Sequence, residues 1–517
     1  MSIGQFQKLA ATLGLQPQLR ADGDISVECS EGNFLQHLTA LLESTVLSDL
    51  FASTPGDGPA SLTAVLQMEG ESSWLLVHTQ LAQPRFPSLT AVVHAASWYE
   101  REIYEMHGLE PVGHPAPARL RLHEWPSENH PMRDAPPSGY DMLSHPLHVP
   151  QHPRVTGQGV FALPLGPVRS GAQESAQFLF SSGGEDIVAV DMQLGFKFRA
   201  IERLAVGQSA DRAIHLAERV AGTSSFANGL AFTRAVERAV GADVAPVVEH
   251  ARSLLGEVER LYSHFGTISR LAEATGLLVA AAQYGILKEE ALRAAGRLTG
   301  NRYLRGALQP GGMTLLPSPE ARDWLAAQVE TWSSRTDRLR RLLEDTSTFV
   351  DRLETTAVLD HEYAVAHNLV GPVGRASGID RDVRRDHPYA AYGAVKFQVP
   401  TATEGDAEAR FRVHIAELEQ SLSILSQLLS SWPASTDQQA PLALHAGAAL
   451  GWAEAPGGET LHFVILDEAG AVVRWRARPP AAVNWHPYAH ACSSGNNLTD
   501  YPVIEASFSL SHAEFDR

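Results

Sequence analysis

Val244-Ala-Pro-Val-Val-Glu-His-Ala-Arg-Ser-Leu-Leu-Gly-Glu-Val-Glu-Arg-Leu-Tyr-Ser-His-Phe265 sets the architecture. Its apolar residues fall at 244, 247, 248, 251, 254, 255, 258, 261, 262 and 265, a three-four repeat that lays one apolar stripe along a helix. Phe411–Trp432 repeats the pattern through Phe411, Ile415, Leu418, Leu422, Leu425, Leu429 and Trp432. A third long helix is expected over Pro319–Leu353, carrying the charge-rich Arg335–Arg341 segment. Stripes of this kind are core, and three of them predict a bundle of long helices.

Outward from the bundle, the chain changes character. Residues 1–135 read as a small α+β domain: a helix near Phe34–Leu47, strands at Ser61–Gly70 and Trp74–Gln80, and a helix over Ser97–Met106. Residues 136–157 are a proline-rich linker whose His145, His148 and His152 lack companion carboxylates or cysteines. Residues 158–517 hold β structure up to about 206, with a hairpin signal at Gly183-Gly-Glu-Asp186. The bundle follows, and then a last hairpin, Leu461–Leu466 with Val472–Arg478, opened by Gly457-Gly-Glu459. The fold class is therefore α+β.

Composition narrows the function. A net charge of -18 over 517 residues argues against nucleic-acid binding. With only Cys29 and Cys492, the chain cannot ligate an iron-sulfur cluster by itself, and a reducing cytoplasm is expected. The N-terminus lacks a signal-peptide pattern, and the longest apolar run, near Gly276–Leu287, is too short to span a bilayer. No glycine-rich phosphate loop follows a strand, so nucleotide chemistry would belong to another subunit.

Several short motifs stand in a telling order. Glu100-Arg-Glu-Ile-Tyr104 is followed by Gly113-His-Pro115, Leu120-Arg-Leu122, Trp125 and His130-Pro-Met-Arg-Asp134. Taken singly, Glu100–Glu105 reads as a solvated helix face. Taken together, the motifs resemble the C-type subunit of complex I, the NADH-quinone oxidoreductase, a domain also fused at the N-terminus of formate-hydrogenlyase-type hydrogenase large subunits. Leu194–Leu204, Gly296-Arg-Leu-Thr-Gly-Asn301, Pro310-Gly-Gly312, Gly371–Gly378, Arg384–Tyr389, Glu454–Glu459 and Arg474-Trp-Arg476 resemble, collinearly, the D-type subunit and the nickel-iron hydrogenase large subunit.

That resemblance implies two Cys-x-x-Cys pairs holding nickel and iron. At the corresponding places stand Ala221 and Ser224 in Glu218-Arg-Val-Ala-Gly-Thr-Ser224, and Ser511 and Glu514 near the C-terminus. Alanine cannot coordinate, serine is a poor ligand for a soft metal, and Glu514 offers a hard oxygen. The site is either an oxygen-rich site for another ion or an emptied pocket filled by small and polar side chains. The family's C-terminal extension, cut after metal insertion, is likewise not expected here. In the quinone-reducing branch, a tyrosine and a histidine meet the quinone. Gly222 stands at the tyrosine position, and the loop Gly166–Glu174 has no histidine, leaving Arg169 and Gln173.

The resemblance thus implies a peripheral subunit of a membrane-bound oxidoreductase, cytoplasmic and attached to the membrane through its partners. Those partners would be an iron-sulfur small subunit and ion-translocating membrane subunits. A quinone or other acceptor would be reduced in a cavity lined by Arg169, Gln173, Ala221, Gly222, Ser224 and Glu514. Glu202 and Glu218 would relay protons, or Glu218 would pair with Arg219. The rival expectation is a non-catalytic connector. Arg375 either faces the cavity or fixes a turn, and His361, His367 and His414 read as surface or packing histidines.

Overall fold

The computed structural model describes residues 4–54, 58–123, 125–135, 155–169, 174–434 and 442–517. The linker histidines 145, 148 and 152, and Gln173, lie outside the described residues.

The N-terminal region holds strands β1 Gln18–Leu19, β2 Ile25–Glu28, β3 Val46–Ser53, β4 Ala60–Gln67 and β5 Leu75–Leu81. They form one five-stranded sheet in the order β1-β2-β5-β4-β3. Helices α1 Gln5–Thr12, α2 Glu31–Leu42 and α3 Ser97–His107 accompany it, with a short parallel pair, β6 Arg85–Pro87 and β7 Glu110–Val112. The helix expected to reach Leu47 ends at Leu42, because Val46–Ser53 pairs with β4 as an edge strand.

A three-stranded antiparallel sheet follows, β8 Val160–Leu165, β9 Gln177–Gly183 and β10 Asp186–Gln193. Then come α4 Ile201–Ala205, α5 Ala210–Ala217, α6 Ser225–Ala239, α7 Pro246–Ala274 and α8 Leu278–Thr299. Proline at the first position starts α7 without losing a helical hydrogen bond. Its apolar stripe packs against α8, and against the later helices Ala407–Ser430 and Tyr501–Phe508.

Next are the two-stranded β11 Leu308–Gln309 and β12 Gly312–Met313, then α9 Pro319–Glu344 and α10 Ser347–Leu353. The single helix expected over 319–353 is thus two. At the break Thr346 adopts extended backbone, and its hydroxyl donates to the Leu342 carbonyl at 2.6 Å, competing with helix continuation. Four more helices, α11 His361–Ala366, α12 Gly371–Ala376, α13 Val383–Asp386 and α14 Ala407–Ser430, complete the bundle. The Asp406 carboxylate caps α14 by accepting from the Ala409 N–H at 2.8 Å.

The last sheet has three strands, β13 Gly447–Ala455, β14 Gly458–Leu466 and β15 Val472–Arg478. β13 was not anticipated, and Gly457 forms the turn between β13 and β14 instead of opening the final hairpin. α6 packs on β13 and β14, and Gly451 permits it: a Cβ there would meet the Ala231 carbonyl oxygen at 2.2 Å. Four short helices close the chain, α15 Ala481–Asn484, α16 Tyr488–Ser493, α17 Tyr501–Phe508 and α18 His512–Asp516.

One apolar cluster unites sheet residues such as Leu62 and Val77 with Trp485, Tyr488 and Phe515 from the C-terminal segment. The two ends of the chain therefore share a core. Beside it, β15 inserts its arginines among N-terminal carboxylates. Arg476 bonds Asp49 at 2.8 Å and Glu102 at 2.7 Å, and Arg517 bonds Glu102 at 2.6 Å. The glutamates of α3, which singly read as a solvated face, are buried: Glu100 accepts from Ser88 and Thr90, and Glu105 from the Arg121 and Leu122 N–H groups.

Candidate functional site

A close approach of helix to sheet builds the site's wall. Gly371, at the start of α12, meets the β13–β14 turn, where an added Cβ would lie 2.1 Å from the Gly457 carbonyl oxygen. Pro372 and Val373 then face the end of α17 and the start of α18 across a cleft of about 510 Å³, open mouth included. Its polar lining includes Ser224, His264, Arg270, His414, Ser511 and Glu514.

The two stretches 290 residues apart meet here. The Ser224 hydroxyl donates to Glu514 Oε1 at 2.5 Å, and Asn228 Nδ2 donates to Ser224 Oγ at 3.1 Å. Ser511 caps α18, accepting from the Glu514 N–H at 3.2 Å and donating to Glu174 at 3.0 Å. Burial raises the Glu514 carboxyl above its ordinary value, against the pull of the Ser224 bond. Behind it, burial pushes Glu259 up to about 8, although Phe226 and Ala227 N–H groups donate to it. Both carboxyls are thus biased toward the protonated form.

Two histidines join them from α7 and α14. His264 Nδ1 and His414 Nδ1 stand 2.9 Å apart, and His264 Nε2 is buried without a hydrogen-bond partner among the described residues. Burial lowers His414 to about 3 and His264 well below the usual imidazole value, so both are neutral. These residues were not singled out from sequence, where His414 read as a surface or packing residue. The available signal was its place, like that of His264, inside an otherwise apolar helical stripe.

Ser224, Ser511 and Glu514 are brought together, whereas Arg169, Ala221 and Gly222 are not among the residues lining the cleft. Arg169 ion-pairs with Glu505, bonds the Glu174 carbonyl at 2.9 Å and lies over the Phe178 ring. Ala221 is buried, and a Cβ on Gly222 would meet open space. Glu202 is tied to Arg474 at 2.9 Å and Arg517 at 3.1 Å. Burial opposes its charge, yet Arg474 and then Arg517 hold it at about 2.

Glu218 accepts from the Gly306 N–H at 2.8 Å and lies 3.6 Å from His215, while Arg219 donates to the His215 carbonyl. Arg375 anchors its loop through the Arg381 carbonyl at 3.0 Å. It also pairs with Asp382, Glu417 and Glu454 in a buried group that includes Arg260, Arg384 and Glu257.

The donor set around the cleft does not fit a nickel-iron pair. Ala221 has no donor atom, the Ser224 hydroxyl is engaged by Glu514, and no thiol lies among the lining residues.

The match to known proteins follows the two halves of the fold. Residues 27–141 fit the family described as "Respiratory-chain NADH dehydrogenase, 30 Kd subunit", and residues 281–445 fit "Respiratory-chain NADH dehydrogenase, 49 Kd subunit". Both in one chain define a fused subunit of the complex I type. Formate hydrogenlyase subunit 5 of Escherichia coli (strain K12) is 30% identical over 487 residues, covering 89% of this chain and 82% of that protein. Hydrogenase-4 component G of the same organism is 31% identical over 471 residues, covering 89% and 81%. The chain belongs to the family of these two proteins. Among solved structures it is similar to a chain of the membrane-bound sulfane sulfur reductase, an archaeal respiratory membrane complex. The TM-score is 0.66 at 26% identity, over 70% of this chain and all of that one. No helix among the described residues is long and apolar enough to cross a membrane.

Proposed function

We propose that the chain is a peripheral-arm oxidoreductase subunit of a membrane-bound complex related to complex I and the energy-converting hydrogenases. In this reading the cleft admits a small electron acceptor, with a quinone headgroup as the leading candidate. Two electrons come from an iron-sulfur centre in a partner small subunit, and two protons complete the quinol. The membrane-embedded partners couple the reaction to ion movement.

The observation that carries this reading is the open cleft lined by Ser224, Glu514 and the neutral His264–His414 pair. The raised Glu514 carboxyl is the proton donor to a reduced acceptor, and the neutral imidazoles beside it hydrogen-bond the acceptor without adding positive charge. Next to the histidines lies the Arg375 group, in which burial and Asp382 raise Glu454 to about 7. That carboxyl exchanges protons near neutrality and extends the route away from the cleft.

The connector reading draws on a different observation, the ion pairs of β15 that lock N- and C-terminal regions together. Glu514→Gln separates the two. In the purified complex, the nearest partner cluster is reduced and its paramagnetic signal followed after adding a short-chain quinone. Catalysis in the cleft requires assembly to persist while reoxidation slows about 10²- to 10⁴-fold, the usual range for a lost proton donor. An unchanged rate assigns the chain to connection.

A further inference from the structure

Away from the cleft, and sharing no residue with it, three histidines converge from distant parts of the sequence. His94 opens the short turn that leads into α3, His367 ends α11, and His486 follows α15. Their ligand atoms all lie within 4.8 Å of one another. We propose that His94, His367 and His486 form a binding site for a divalent transition-metal ion of the zinc class.

The tautomer of one member is already set. His367 Nδ1 lies 2.8 Å from the Tyr363 carbonyl, which accepts its proton and leaves the Nε2 lone pair for a metal. This is the usual outer-shell arrangement of a ligating histidine. The rings are also held. Tyr363 stacks on His367 with centroids 4.0 Å apart, and Trp98 stacks on His486 at 5.0 Å.

Zinc bonds imidazole nitrogen at roughly 2.0–2.1 Å, so tetrahedral ligand atoms stand closer together than the present outer limit. His94 is exposed and its ring stacks on His486 with centroids 4.9 Å apart, so binding requires the His94 side chain to turn toward the ion. Three imidazoles with no carboxylate among them favour a borderline ion such as zinc over magnesium or calcium. Three protein ligands leave a fourth position for water or a partner's side chain. A bound ion would clamp the approach to α3 against the segments that follow α11 and α15, adding a tie between the N- and C-terminal regions.

The test uses the full chain without a polyhistidine tag, stripped with a chelator and titrated with zinc, and separately with cobalt. The expected result is one equivalent bound, a visible cobalt spectrum, and a melting temperature that rises with free zinc, as binding to the folded state requires. His94→Ala, at an exposed position, should leave the melting temperature of the stripped protein unchanged and weaken zinc binding at least about tenfold. His486→Gln should do the same to binding. If one equivalent fails to bind at micromolar zinc, or if binding survives both substitutions unchanged, the site does not exist.

Discussion

Glu202 and Glu514 are both buried carboxylates that meet the C-terminal segment, and their surroundings are opposite. Glu202 lies between Arg474 and Arg517, at 2.9 and 3.1 Å, and stays charged. Glu514 receives a serine hydroxyl at 2.5 Å, and its side chain forms no ion pair among the described residues. Burial raises it, as it raises Glu259 nearby. One fold thus keeps a region where carboxylates are compensated by arginine and one where they are not. The first is suited to holding parts together, and the second to exchanging protons.

The largest effect expected from this contrast is in the compensated region. Arg476→Ala leaves Asp49 buried with a single bond to the Leu50 N–H and takes one of three arginines from Glu102. Breaking a buried pair from one side costs about 3–5 kcal/mol. Urea unfolding of the chain should show a loss of that size. A loss below about 1 kcal/mol would mean that water enters the β15 interface and that the two regions do not differ in kind.

The next effect is on pH dependence, in the uncompensated region. Glu259 has its folded value raised to about 8 from an ordinary 4.5. The folded state therefore keeps a proton that the unfolded chain releases. Its contribution is complete below about 4.5 and is lost as pH rises toward 8. Glu259→Gln cannot ionise, so the decline in stability between those limits should flatten by a few kcal/mol. Melting curves of both proteins at several pH values give the comparison; parallel profiles would place Glu259 with the compensated carboxylates.

What the sequence disclosed follows from range. α7 and α14 were legible because the three-four stripe is local. The break at Thr346 was not, since it turns on one hydroxyl competing for a carbonyl. β13 escapes notice because Gly447–Ala455 is rich in small residues, and its glycines, Gly447 and Gly451, are explained only by the close packing of α6. The motif order located Ser224, Ser511 and Glu514, whose meeting spans hundreds of residues. The same order could not separate Glu202 from Glu514, because the arginines that decide their charge arrive from β15 and the C-terminus. His264 and His414 were hidden for the reverse reason: each sits in a helix whose apolar neighbours make it look like packing.

The smallest effect tests whether the cleft is open to water. Ser224→Ala removes the hydroxyl donor to Glu514 and one acceptor for Asn228, leaving Glu514 the Ala481 N–H and the Asn228 side chain. In a closed interior, the missing donor would cost the ionised carboxyl about 2–3 kcal/mol. In an open cleft, water takes the hydroxyl's place, and the loss should stay near 1 kcal/mol, the ordinary worth of a hydrogen bond. The Ser224 bond also holds the Glu514 carboxyl down, so without it the carboxyl should rise further. Infrared difference spectra recorded across a pH titration would then show the protonated Glu514 band persisting to higher pH than in the parent protein. A band at unchanged pH, together with a large stability loss, would make Ser224–Glu514 a closed structural pair, and the contrast with Glu202 would reduce to the choice of partner.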